Sequence, residues 1–412
     1  MASTPNGADA PSSNTPRSAF RISYIKLPRT VLALGLVSLF NDASGEIIYP
    51  LLPLFLTDTL GTSKTFVGLV EGVAESVSSL LKLPAGWYSD RLKKRKGVVL
   101  TGYSIASLIR PLLAIATAAW HVLALRFIDR LGKGLRSAPR DAMIADAAPI
   151  ESRGLAFGFH RAMDHTGAIV GSLVAAWLVS IFHDDYRRIF WVAAIPGLVT
   201  LLILIFVVQE KPRELTAHQT TAAFSFDLSG FSPRFKYFLG VLFLFTLSNS
   251  SDAFLLLRAK EAGIQTAMIP ILWAVLHVSK TVSSIIGGGL SDHFGRRKLI
   301  VSGWLVYAGI YLGFAWATSG SAMWALFIIY GFYFGLTEGV EKAFVADLVA
   351  TETRGTAFGF YNLIIGVGSL PASLLLGFLW QNFGAAFALI TSAGISLVAT
   401  TLLIAFVPED ER

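Results

Sequence analysis

The most chemically loaded stretch of the chain is 126–141, where Arg126, Asp129, Arg130, Lys133, Arg136, Arg140 and Asp141 recur at short spacings. On a helix turning about 100° per residue they fall within about 140° of the circumference, forming one charged stripe. Carboxylates that could answer this stripe lie elsewhere. Asp42 and Glu46 stand one helical turn apart, Glu71 and Glu75 share a helical face with Lys82 beyond them, and Asp164 sits beside His160, Arg161 and His165. The second half of the chain adds Asn249, Asp252, His277, Lys280, Glu338, Glu341, Lys342, Tyr361 and Asn362. Two chemistries suit such a set. An acid among bases can bind and release a proton, because burial and neighbouring charge both move its pKa. A row of guanidinium and ammonium groups attracts an anionic group. The proton-exchanging acid is expected to be Asp42 or Glu46, with Asp164 and Glu338 behind them. Solute contacts are expected from Arg126, Asp129, Arg130, Lys133, Arg136, Arg161, Asn249, Asp252, Lys280, Glu341, Tyr361 and Asn362. The structural alternative is mutual neutralisation that fixes helix packing. For the whole set it is disfavoured, since buried ion pairs seldom improve on apolar packing.

The elements that position these groups are built for lipid. The 412 residues are 54% hydrophobic and 15% charged, against about 25% charged in a soluble domain. Apolar runs of roughly 20 residues match the length of helix that crosses a ~30 Å hydrocarbon core. They lack the alternation of barrel strands, so helices are expected. The spans read as 30–56, 65–88, 97–118, 120–147, 154–181, 189–208, 235–258, 267–290, 299–318, 322–348, 355–380 and 385–407. The fold class is therefore an all-α polytopic membrane protein with twelve transmembrane helices. Charged side chains at mid-bilayer cost ~2.5–3.5 kcal/mol each on the lenient insertion scale. The 126–141 stripe must then face a wet cavity or a partner helix. Trp87, Trp177, Trp273, Trp304 and Trp316 fit either lipid or solute contact, and the sequence does not separate the two.

Lysine and arginine set the orientation. The clusters at 17–29, 91–96, 211–213 and 296–298, with Arg153 and Arg354, fall on one side, leaving Lys64, Arg187, Arg188 and Lys260 on the other. Both termini are expected to be cytoplasmic, in the inner (cytoplasmic) membrane. Residues 1–25 read as a disordered tail, 26–208 as a first six-helix half, 209–234 as a cytoplasmic linker and 235–412 as a second half. The halves repeat: IADAAPIESRGLAFGF (144–159) matches VADLVATETRGTAFGF (345–360) without a gap, and SDRLKKRK (89–96) matches SDHFGRRK (291–298). Two parallel six-helix repeats around a midplane site are a transporter plan.

The segment GGLSDHFGRRK (288–298) resembles the cytoplasmic loop signature of the major facilitator superfamily. Its copy at 86–96 keeps the Gly, the Asp and the basic cluster but has Lys93 where the second Gly belongs. Arg126 with Gly132, Gly134 and Asp146 is similar to the family's fourth-helix pattern, and Asp42 eight residues before Pro50 to its first-helix pattern. The resemblance covers about 30–407. It implies two pseudo-symmetric halves, a working monomer, and a charge network acting as a latch in the outward-facing state. The latch positions are Gly86, Asp90, Arg91 and Asp146, then Gly288, Asp292, Arg296 and Asp347. The fifth-helix antiporter pattern is partial: Gly167 and Gly171 fit, but Ser172 stands where that pattern has Pro.

The function expected is proton-coupled secondary transport of a small organic solute, anionic or zwitterionic, by alternating access, with efflux by antiport favoured on the partial fifth-helix pattern. Its partners are then the solute, protons and the bilayer. A proton symporter or facilitator importing a nutrient or metal chelate, and a non-transporting receptor, are the alternatives. No metal-ligand spacing, nucleophile elbow or phosphate loop appears, so neither an enzyme nor a cofactor is expected. The basic residues sit in short loops rather than in a soluble basic domain, so nucleic acid is not an expected partner.

Overall fold

A computed structural model of the chain describes residues 27–149, 152–210, 212, 228–350 and 353–408, with backbone alone at 154 and 285–293. The expected tail at 1–25 lies outside these residues, as does most of the 209–234 linker. The described residues form twelve helical segments. In the first half they are α1 (Arg29–Thr59), α2 (Lys64–Ser89), α3 (Lys96–Ile115), α4 (Ala119–Ala147), α5 (Arg153–Phe182) and α6 (Tyr186–Phe206). In the second they are α7 (Pro233–Glu261), α8 (Ile269–Phe294), α9 (Arg296–Trp316), α10 (Gly320–Asp347), α11 (Arg354–Phe383) and α12 (Ala385–Phe406). Ten are long and apolar enough to cross a membrane. The other two, α2 and α4, are long enough at 26 and 29 residues but too polar. They carry the glutamates and the basic stripe singled out above, and they pack on each other inside the bundle.

Local chemistry explains the irregular helices. Pro50 and Pro53 cannot donate to the helical ladder, and after Ile48 the end of α1 turns through 3-10 and π geometry. In α7 the helix stops at Ser248 and restarts at Ala253. The intervening Asn249 and Asp252 side chains are held by the hydroxyls of Tyr333 and Tyr330, at 3.2 and 2.8 Å.

Short connections make successive helices within each half antiparallel, so the start of α1 lies beside the end of α6 and the start of α7 beside the end of α12. Thr30 Oγ donates to the carbonyl of Gln209 at 2.9 Å, pinning the start of α1 to the chain leaving α6. The halves meet along two seams, α2 against α11 and α5 against α8. The first seam needs glycine. A Cβ on Gly68 would stand 2.2 Å from the carbonyl oxygen of Ser373. Gly68→Val should therefore force α2 off α11 and destabilise by about 1–3 kcal/mol, the usual cost of overpacking. Thermal unfolding in detergent reads this, with Gly240→Val as the control, since a Cβ there meets nothing within 4 Å.

Candidate functional site

Helices α1 to α5, α8, α10 and α11 line a large cavity of about 1020 Å³. Its lining runs from Tyr49, Leu125, Ala168 and His277 to Trp87, Asp90, Arg140, Asp141, Gly355 and Thr356 at its mouth. Those mouth residues lie at the ends of α2, α4 and α11 on the side of the chain termini, so the cavity opens there. The opposite side is bolted across the halves. Lys260 of α7 binds Asp58 of α1, Lys64 of α2 faces Glu261 of α7 at 3.7 Å, and the Lys64 backbone N–H donates to Gln381 of α11 at 2.9 Å. Beneath the cavity Ser251, in the break of α7, donates to Glu71 at 3.4 Å and stands 3.5 Å from the Tyr49 hydroxyl.

The α4 stripe faces this cavity, and its members divide in two. Arg126 is buried and donates to both oxygens of Glu71, at 2.8 and 3.1 Å. Asp129, 3% exposed, accepts from Arg110 Nε at 3.0 Å. Arg110, which the sequence reading missed, also donates to the backbone and side-chain oxygens of Asn41, at 2.7 and 3.1 Å. These groups form one ion-pair network, in which Arg126 Nε makes no hydrogen bond. Arg140 pairs with the adjacent Asp141 at 2.8 Å, which leaves Arg130, Lys133 and Arg136 without a hydrogen-bonded carboxylate of their own among the described residues. Arg130 reaches only the already engaged Asp129, at 3.7 Å, and its Nε has no hydrogen bond. Arg136 lies over the Tyr103 ring at 4.4 Å with Nη1 unpaired. Neither Arg136 nor Lys133 has a carboxylate within 4.0 Å among the described residues.

The expected proton acids all line the cavity. Asp42 accepts from the Asn41 amide at 2.7 Å. Glu46 accepts from the indole N–H of Trp273 at 2.8 Å, a bond from the first half to the second. Asp164 accepts from Ser38 and lies 3.6 Å from His160 and 3.8 Å from Arg161. Glu338 pairs with Arg161 at 2.6 Å, again across the halves. Lys280 lines the cavity with its ammonium 3.5 Å from the centre of the Phe334 ring, and Asn362 lines it too.

Four expected solute contacts do not reach the cavity: Asn249, Asp252, Glu341 and Tyr361. Glu341 accepts from Trp304 Nε1 at 3.0 Å and from the Tyr361 hydroxyl at 2.9 Å, while Asn249 and Asp252 are taken by the tyrosines named above. Each finds its partner within the second half, whose buried tyrosines Tyr307, Tyr311, Tyr330 and Tyr333 form a packed cluster. Sequence spacing groups these residues with Glu338 because it fixes a helical face only to within a turn.

On the terminal side Arg95, rather than the expected Arg91, joins Asp90 (2.7 Å) to Asp146. Arg91 instead turns back on Trp87, donating to its carbonyl at 2.8 Å and lying 3.6 Å from its ring. The reason is a cap. The N–H groups of Arg95 and Lys96, unpaired donors at the start of α3, are both taken by the Glu210 carboxylate at 2.7 and 2.8 Å, which fixes Arg95 between the two aspartates. In the second half Arg296 pairs with Asp347; the expected Gly288 and Asp292 side chains lie outside the described residues. The pairs at Arg95 and Arg296 are each internal to one half, and they are in place with the cavity open to the terminal side. Arg95→Ala should therefore slow turnover far more than Arg91→Ala, about tenfold against less than twofold for a charge-assisted pair. Solute affinity should stay unchanged in both, as read by flux and binding on the same preparations.

A sequence profile described as Major Facilitator Superfamily matches residues 34–371 and again 238–412. An uncharacterized MFS-type transporter of Methanocaldococcus jannaschii is 36% identical over 362 residues, covering 86% of this chain and 89% of its own. The cis,cis-muconate transport protein of Acinetobacter baylyi is 25% identical over 71% of this chain and 73% of its own. The multidrug resistance protein MdtH of Salmonella arizonae is 22% identical over 78% of this chain and 79% of its own. Among solved structures, that of a point mutant of the nucleoside transporter NupG superposes with a TM-score of 0.77 at 15% identity, covering 92% of this chain and 100% of that one. A bacterial homologue of the human lysosomal transporter Spinster, inward-facing and occupied, gives 0.74 at 16% identity, covering 91% and 95%.

Proposed function

The chain belongs to the Major Facilitator Superfamily, and from that premise we propose that it is a proton-coupled secondary transporter of a small organic anion or zwitterion. The observation that carries this is a row of cavity bases that have no hydrogen-bonded carboxylate of their own among the described residues. Arg130, Lys133 and Arg136 line the cavity on one helix, while the neighbouring Arg126, Asp129 and Arg110 close on internal partners. Uncompensated bases in a membrane interior are costly, and an entering carboxylate or phosphate offsets that cost with charge-assisted hydrogen bonds. Asp42 and Glu46 on the facing helix supply the proton-exchanging groups. The terminal side is cytoplasmic by the positive-inside rule, so the cavity faces inward, and the two halves rock about it as a monomer. Export is the favoured direction.

The cavity acids support a second reading, export of lipophilic cations held by Asp42 or Glu46, and the relatives named for muconate and for multidrug resistance suit the two readings in turn. A thermal-shift screen of purified protein with carboxylates, phosphates, chelators, neutral sugars and lipophilic cations separates them. A ligand at 100 times its Kd stabilises by ~2.7 kcal/mol. Anions should raise the midpoint in wild type. A screen in which only lipophilic cations do so, through Asp42 or Glu46, sinks the anion reading.

A further inference from the structure

Trp273 belongs to α8 and is 5% exposed, yet its indole N–H is spent on the other half of the protein, donating to Glu46 Oε2 of α1 at 2.8 Å. The ring is clamped between Tyr49 of α1 and His277 of α8, each 5.1 Å away centre to centre. Trp273 does not itself line the cavity, whereas Glu46 does. Glu46 has no other hydrogen bond from a side chain among the described residues, and the cavity-lining acids Asp42, Asp129 and Asp164 are all bonded within their own half. The charged groups acting on Glu46 include Asp42 on its own helix and Arg130 and Lys133 on α4; Arg110 on α3, Asp164 on α5, and His277 and Lys280 on α8 line the same cavity.

From this arrangement we infer that Trp273 is the positioning residue through which the second half senses the protonation of Glu46. The inference rests on the proton-coupled reading above and names the contact that converts it into movement. The indole N–H is a donor only. It makes a charge-assisted hydrogen bond to the carboxylate and a weaker one, by about tenfold in equilibrium constant, to the neutral acid. The deprotonated carboxylate therefore holds α1 to α8 in the arrangement open to the terminal side. Protonation of Glu46 loosens that hold and frees the halves to rock. No proton passes to Trp273; it reads the charge and leaves the chemistry to Glu46.

The chain has no cysteine, so a reporter pair can be introduced without background. Lys94→Cys and Thr353→Cys, on the loops that flank the cavity mouth in the two halves, carry spin labels whose separation is measured by pulsed EPR across a pH series in liposomes. In the otherwise wild-type protein, acid should move population from the long to the short distance. Trp273→Phe keeps an aromatic ring and removes the N–H. It should flatten the response to the level of Glu46→Gln, cutting the pH-driven change in the population ratio by about tenfold. The double variant should be no flatter than either single one, because both remove the same charge-assisted bond. Trp273→His, which retains a ring N–H, should recover part of the response. A Trp273→Phe protein with the full wild-type response, alongside a flat Glu46→Gln protein, overturns the inference and leaves the coupling site standing. A full response in Glu46→Gln overturns both. If Trp273→Phe fails to fold, the comparison of Trp273→His with Glu46→Gln decides in the same way: a His variant as flat as Glu46→Gln contradicts the inference.

Discussion

Arg110→Ala is expected to be the most damaging single substitution in the transport core. Arg110 is 8% exposed and supplies Asp129 with its one hydrogen-bonded partner at 3.0 Å, while Nη1 holds two oxygens of Asn41. Without it, a carboxylate buried among helices is left to arginines at 3.7 and 3.8 Å. Removing one partner of a buried pair costs about 3–5 kcal/mol, comparable with the whole stability of many domains. The variant should lose most of its folded yield or unfold at a sharply lower temperature in detergent. Arg110→Lys should recover only part, since an ammonium cannot reproduce the guanidinium fork. Arg110→Ala with Asp129→Leu should be more stable than Arg110→Ala alone, because the stranded charge goes with it.

The second large effect falls on binding and leaves the fold alone. Lys133 has no carboxylate within 4.0 Å among the described residues, and Arg130 shares one that Arg110 already holds. Truncating either removes no hydrogen-bonded partner from a buried acid. Arg130→Ala and Lys133→Ala should each weaken binding of a stabilising anion by about tenfold, and the pair by about a hundredfold. Unfolding temperatures without ligand should change little. Titration of the anion against the unfolding midpoint checks both halves of this statement; a double variant that binds as wild type would move the anion site elsewhere. Arg126→Ala offers the contrast, because it strands Glu71 and should act on stability first.

These two cases show what the sequence could and could not carry. Helix count and the position of the charged stripe on α4 followed from hydropathy and a 100° turn, because lipid forces every backbone group into a helix and leaves only periodicity to be read. The repeat at 144–159 and 345–360 tied α4 to α10 and made a span of a segment too polar to be chosen by hydropathy. Which bases are free was not legible. Arg126 and Lys133 occupy the same stripe and both line the cavity, yet only Arg126 is hydrogen-bonded to a carboxylate, that of Glu71, and that difference depends on how α2 is rotated against α4. Arg110 was overlooked because it stands alone in an apolar run, with no second charge at helical spacing to mark a face. Its signal was its place within the third span, where an ionised side chain needs a partner. Arg95 displaced Arg91 for a reason no local pattern contains: the cap on α3 comes from Glu210, 115 residues away along the chain.

The central claim, proton-coupled movement of an anionic solute, is met most directly in proteoliposomes loaded with a pH-sensitive dye. A mixture of small mono- and dicarboxylates is added outside and the internal pH followed, with Glu46→Gln, Asp42→Asn and protein-free vesicles measured in parallel. The account predicts a carboxylate-dependent proton movement in wild type that falls by at least tenfold in Glu46→Gln or Asp42→Asn, with anion binding retained. Proton movement that persists undiminished in both variants, or carboxylate flux that moves no protons in wild type, would contradict it.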